Sequence, residues 1–351
     1  MNAKRFYLKL ILRIFLGLLG VLAVLVLAAY LLFGRGGEAS QIIWGASFDA
    51  VYAESLGLDW KETYLSLLDE VGVDHLRLVA FWDVIEPQGG RFDFSALDFQ
   101  MAEAQKRGIP VILAVGRRLP RWPECHEPAW VQNQSSNIKN QKLLDYIREV
   151  VTRYKDSPVL EFWQVENEPF VGFFGECPKP DRSLLKLEID QVAYLDPSHP
   201  ILLTDSGEIS TWFPISGLGE NLGISMYRVI YDGNYTKLYI RYWPFFPQWY
   251  YRVKANFYKR IGRLKTVFVS EMQAEPWGKK PLTQMSLEEQ YISLSPEKLR
   301  ANIAFARSAG FDRIYLWGAE WWFYAREKLG VPDFVEIVKK LWRPQSPIVL
   351  D

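Results

Sequence analysis

From residue 41 onward the chain alternates short apolar runs with stretches of helical spacing, eight times over, and few folds accommodate that pattern. Regular strand–helix alternation builds parallel βα units, because the helix returns the chain to the end of the sheet where the next strand starts. The runs predict strands at Ile42–Phe48, His75–Phe81, Pro110–Val115, Val159–Val165, Ile201–Thr204, Leu222–Met226, Thr266–Val269 and Arg313–Trp317. Pro110–Val115 is apolar throughout, as in a strand covered on both faces. Helix signals fall between them. Asp59 reads as an N-cap with Glu62 completing a capping box, and Gly72 stops that helix. Ser95 reads as a cap for a helix ending at Gly108, followed by helices at 141–154 and 181–194. Pro247 and Pro296 open two more, and 333–342 closes the series; the fifth, near 208–219, is weak. The expected fold is therefore α/β, a (β/α)8 TIM barrel, which needs roughly 250 residues. A doubly wound nucleotide-binding sheet would require a Gly-rich turn after the first strand, and none follows it.

The N-terminus adds a second constraint. Ile14–Phe33 is a run of 20 residues without a charged side chain, enough to cross a bilayer as a helix. Lys4, Arg5, Lys9 and Arg13 precede it and Arg35 alone follows closely, so the positive-inside rule keeps the N-terminus in the cytoplasm. A cleaved signal peptide is the rival, but its apolar region is usually only about 7–15 residues. The expected organisation is a cytoplasmic segment 1–13, a transmembrane signal anchor 14–33, a flexible linker 34–40 rich in glycine, and a barrel 41–351. The protein would then sit in the cell membrane as a single-pass chain with its barrel extracytoplasmic. In that compartment Cys125 and Cys177, both in loops at one barrel end, form a possible disulfide.

Charge and composition narrow the partners. With 41 basic and 41 acidic residues the net charge is zero, and no long single-sign run points to nucleic acid. Aromatics make up 15% of the chain, including 14 Trp; this fits a well-filled core or a cleft that stacks sugar rings. The residues 231–251 concentrate Tyr231, Tyr235, Tyr239, Tyr242, Trp243, Phe245, Phe246, Trp249, Tyr250 and Tyr251. These suit packing around the sixth helix, a sugar-binding wall, or contact with a membrane interface. His75 and His199 sit at a strand start and a turn, while His126 lies in a loop at the barrel mouth. No cluster has metal-ligand spacing, so neither metal nor cofactor is expected.

Working residues of a TIM barrel lie at the C-terminal ends of its strands. There the sequence places Arg77 and Trp82 (second strand), Asn167 and Glu168 (fourth), Tyr227 (sixth), Glu271 and then Trp277 (seventh), and Trp317 (eighth). Two carboxyl groups across a barrel mouth suit glycosidic bond cleavage. One protonates the leaving oxygen while the other attacks the anomeric carbon, at a separation of about 5–5.5 Å in retaining enzymes. Mutual repulsion keeps one of them protonated. Glu166, two positions before Glu168, is expected on the same strand face but deeper, and Glu275 in a loop, binding sugar or an ion-pair partner.

The segment Phe162-Trp163-Gln164-Val165-Glu166-Asn167-Glu168-Pro169 resembles the fourth-strand signature of the clan A glycoside hydrolases, and Val267-Phe268-Val269-Ser270-Glu271 resembles their seventh-strand nucleophile site. The resemblance spans about residues 41–345. It implies Glu168 as general acid/base and Glu271 as nucleophile. It further implies Arg77 holding the nucleophile, Asn167 on the sugar 2-hydroxyl, Tyr227 as a hydroxyl beside the nucleophile and Trp317 as the floor of the sugar subsite. Trp82 and Trp277 are further candidates for substrate contact. The function this implies is a retaining O-glycosyl hydrolase acting on a β-linked oligo- or polysaccharide through a covalent intermediate. A transglycosylase using the same carboxylates, or a non-catalytic glycan-binding barrel, are the alternatives.

Overall fold

The computed structural model describes residues 3–34, 37–233, 235–242 and 244–343. Arg35 and Gly36 of the expected linker, Trp243 of the aromatic segment and the last residues of the expected barrel, 344–351, lie outside the described residues.

Eight parallel strands close into a barrel: β1 (Ile43–Ser47), β2 (Leu76–Val79), β3 (Val111–Val115), β4 (Leu160–Val165), β5 (Ile201–Asp205), β6 (Asn221–Met226), β9 (Thr266–Gln273) and β10 (Arg313–Trp317). β1 pairs with β10 and β2, completing the ring. Between β6 and β9 a separate antiparallel hairpin, β7 (Val229–Asp232) and β8 (Leu238–Arg241), rises from the end of the barrel where the strands terminate. The TIM barrel and the N-terminal apolar helix are both as expected.

Inside the barrel Ile112, Leu202, Phe268 and Tyr315 form a packed layer with Phe162 against it. These inward-facing side chains come from β3, β5, β9 and β10 and fill the barrel interior as a packed core. Gly45 makes room for that layer: a Cβ there would lie 2.4 Å from the Tyr315 ring. The outer core, between strands and helices, includes fully buried Trp82, Trp163, Trp321 and Trp322.

Several local expectations change. Asp59 caps its helix by accepting from Lys61 and Glu62 backbone N–H groups, and the helix ends at Gly72 with φ of 83°. Ser95 is not the cap of its helix. It is the first helical residue, and Asp93 accepts from its N–H at 2.9 Å. The weak fifth helix is absent: within 208–219 only the short turn Ile215–Gly217 forms. β9 runs four residues beyond the expected Val269, so Glu271 sits within the strand. A helix at Ala319–Leu329 and the β7–β8 hairpin were not anticipated.

The N-terminal helix Ala3–Ala29 continues through a wider turn to Gly34, and 28 residues from Tyr7 are long and apolar enough to cross a membrane. Its end packs against the barrel. Asn256 Nδ2 donates to the Phe33 carbonyl at 2.6 Å and Arg252 Nε to that of Gly34 at 3.1 Å. Both donors come from the helix Gln248–Arg260.

Candidate active site

Arg77 organises the barrel mouth. It is fully buried on β2 and its guanidinium donates to three partners: Nη1 to Glu271 Oε1 at 2.7 Å, Nη2 to Asn167 Oδ1 at 3.0 Å and Nε to Gln164 Oε1 at 2.7 Å. A planar, permanently charged fork suits this task, since it orients as well as pairs. Tyr227 Oη donates to the second Glu271 oxygen, Oε2, at 3.1 Å. Burial, then the Glu271 charge, pushes the Tyr227 phenol well up, so it stays a donor. Glu271 is thus held through both oxygens.

Glu168 is in a different setting. Burial first, then the charge of Glu271 and then that of Asp205, raise its carboxyl well above the usual range, against a Ser225 hydroxyl that favours the charged form. Its Oε1 is buried without a hydrogen-bond partner. One carboxyl is therefore clamped by a cation while its neighbour keeps a proton, the division of labour that acid and nucleophile roles require.

The backbone explains the placement. Glu166 and Glu168 have φ of 59° and 43°, left-handed values that cost a non-glycine residue roughly 1 kcal/mol or more. The strand's alternation stops at Val165, and Glu166 does not share a face with Glu168 as expected. Its carboxylate instead accepts the backbone N–H of Arg117 at 2.6 Å and of Arg118 at 2.8 Å. Glu188 packs against it with a carboxyl raised by burial and by the Glu166 charge. Gly116 allows this approach, because a Cβ there would meet Glu166 Oε1 at 2.6 Å. Asn167 remains at the mouth, its Oδ1 accepting from Arg77 and from Thr204 Oγ1 at 3.1 Å.

The aromatic candidates divide. Trp277 is half-buried at the mouth, with its ring 5.2 Å from Tyr227 and 5.4 Å from Phe174. Phe174 in turn lies 5.9 Å from exposed Trp122, giving an aromatic arc. Trp317 has Arg121 stacked on its ring at 4.2 Å and its Nε1 donating to Glu275 at 2.8 Å. Trp82 does not join the site. It is 0% exposed, stacked on Tyr146 with Nε1 donating to Glu86, and presents no surface to a sugar. His126 is buried against Phe81, its ring 4.2 Å away. Cys125 and Cys177 are joined, tying the loops after β3 and β4.

Several residues were missed in the sequence. Glu124 is buried beside the pair, within 3.4 Å of Asn167 Nδ2, and burial pushes it to about 7, with the Glu271 charge adding and Arg118 opposing. Arg121 gathers Glu275 at 2.7 Å, Glu320 at 3.4 Å and Asp49 at 3.6 Å. Gln164 was legible in principle: a buried Arg77 needs several acceptors, and Gln164 sits within the quoted fourth-strand signature.

Residues 54–183 match the family profile described as "Beta-galactosidase". The stretch contains Arg77, Asn167 and Glu168 but not Glu271. The chain is similar to a curated beta-galactosidase from Arthrobacter sp, 29% identical over 140 residues, covering 32% of this chain and 19% of that protein. The chain therefore spans only a fifth of that relative's length. Its fold is similar to a beta-galactosidase from Rahnella sp. R3 (TM-score 0.60, 13% identity, 87% of this chain and 56% of that one). It is also similar to xylanase 10B from Thermotoga maritima (TM-score 0.52, 18% identity, 79% and 83%). The closed barrel and the profile matched over residues 54–183 support a likeness to the clan A glycoside hydrolases.

Proposed function

We propose that this chain is a retaining β-glycosidase, with Glu271 as nucleophile and Glu168 as acid/base. The supporting observation is the asymmetry of the pair: Glu271 is held by Arg77 and Tyr227, while Glu168 is raised by burial and by Glu271 itself. Glu271 attacks the anomeric carbon as Glu168 delivers its proton to the departing oxygen. Glu168, now a carboxylate, then deprotonates the water that releases the sugar from Glu271. Asn167 Nδ2, with only one long contact to Glu124, has a donor to spare for the sugar 2-hydroxyl. Trp277 and the arc beyond it offer ring faces for the sugar. The apolar N-terminal helix is proposed as a single-pass anchor that holds the barrel outside the cytoplasm.

The test is turnover of aryl β-glycosides by the full chain, beginning with the β-galactoside that the matched profile suggests and extending to glucoside, mannoside and xyloside. Glu168→Gln and Glu271→Gln are run alongside. The expected result is cleavage by wild type, with the first-formed sugar in the β configuration by NMR. An α product, or unchanged activity in either variant, overturns the assignment.

A further inference from the structure

The helix Gln248–Arg260 follows the loops at the catalytic end and runs back toward the base of the barrel, so its first turn marks the catalytic end and its last turn the base. The N-terminal helix meets it with Tyr30 toward the first turn and Phe33 toward the last, while Gly34 lies against Arg252 and Val253 in its middle. Tyr30 packs on Trp249 in the first turn with rings 5.8 Å apart, and Phe33 on Phe257 two turns further, at 5.7 Å. Gly37 then lies beside Gly310, where its carbonyl would be 2.7 Å from an added Cβ, just before the start of β10. The chain thus descends from the catalytic end to the base before entering β1. Followed backwards from Tyr30, the apolar helix projects past the catalytic end.

The same end exposes apolar side chains. Tyr235 and Leu238 of the β7–β8 hairpin are 74% and 64% exposed, and Phe245 after it is 76% exposed. Lys237 and Arg241 are exposed among them. Aromatic and aliphatic side chains flanked by cations are what a lipid headgroup layer accepts.

We infer that the barrel stands with its catalytic end toward the bilayer and rests the tip of the β7–β8 hairpin and Phe245 in the headgroup layer. This inference rests on reading the N-terminal helix as a membrane span. The occupant of the apolar rim is the membrane in which the chain's own helix is embedded, because the two share one end of the barrel. The cleft then opens onto lipid headgroups instead of bulk water.

The test places an environment-sensitive fluorophore at Tyr235→Cys or, at the opposite end, at Tyr194→Cys. Tyr194 is 85% exposed in the last turn of the helix Arg182–Leu195, and the two native cysteines are paired. Each labelled full-length chain is reconstituted in phosphatidylcholine–phosphatidylglycerol vesicles carrying nitroxide headgroups. The expected result is several-fold stronger quenching at position 235 than at 194, reduced when Leu238 and Phe245 are both changed to Asp. Equal quenching, or stronger quenching at 194, in chains that resist alkaline carbonate extraction overturns the orientation while leaving the span intact. Release of the chain by carbonate overturns the span, and the orientation with it.

Discussion

Replacing Glu271 by Gln removes one of the two main influences on Glu168 and leaves the other, burial, in place. A retaining pair stands about 5–5.5 Å apart. At an effective dielectric of about 20, two unit charges at that distance repel by about 3 kcal/mol, or about 2 pH units. Glu168 should therefore titrate about two units lower in Glu271→Gln than in wild type, yet still above an ordinary carboxyl, because burial persists. An inverting spacing near 9.5 Å would give only about 1.7 kcal/mol and just over one unit. Selective 13C labelling of glutamate carboxyls reads the midpoint directly by NMR, with the Glu168 signal assigned by its loss in Glu168→Gln. A midpoint that does not fall in Glu271→Gln would refute the claim that the two groups are electrostatic neighbours.

Arg77→Met should lower stability by about 3–5 kcal/mol in denaturant titration, since it strands a buried carboxylate. Tyr227→Phe removes one charged-acceptor hydrogen bond of about 1.5–3 kcal/mol, so kcat/KM should fall roughly 10- to 100-fold with the fold intact by circular dichroism. Changing Cys125 and Cys177 to Ser opens a loop with a sequence separation of 52, and the chain-entropy estimate puts the loss near 4 kcal/mol, read as a lower Tm. Burial pushes Glu124 and Glu208 to about 7 and Glu320 to about 8. The folded chain keeps these protons after the unfolded chain has shed them near pH 4.3, so Tm should decline as pH rises from about 4 through 8, and Glu320→Gln should flatten that decline.

The barrel was legible because its strands are short apolar runs, and those need no distant information to recognise. The observed strands begin or end within a residue or two of the expected ones, apart from the added length at β9. What stayed hidden depends on contacts distant in sequence. The Asp49 backbone N–H donates to Glu320 across 271 positions, and Arg121 reaches Glu320 across 199. Trp82 looked like a cleft residue from its place after the second strand, but a one-turn helix there directs the ring outward onto Tyr146. The hairpin escaped because β7 and β8 each carry three consecutive apolar or aromatic residues, Val229-Ile230-Tyr231 and Leu238-Tyr239-Ile240, which erases the period-two signal. Glu166 was misplaced because pleat parity fails where the backbone turns left-handed.

That left-handed turn also links the fold to the chemistry. A regular strand would present Glu166 and Glu168 to one side and Asn167 to the other. With φ positive at 166 and 168, Glu166 is drawn onto the amides of Arg117 and Arg118, and Asn167 stays at the mouth with Glu168. Arg118 fixes this arrangement by donating from Nε to the Asn167 carbonyl at 2.9 Å and accepting from the Asn167 N–H at 2.6 Å. The loop it belongs to is tied to the loop after β4 by Cys125–Cys177. The disulfide, the Glu166 clamp and Arg118 therefore act on one object, the two-residue step that brings Asn167 beside Arg77 and leaves Glu168 facing Glu271. Strain that would be lost as disorder in a free loop is held here by these three ties together, which is the condition under which a protein retains it.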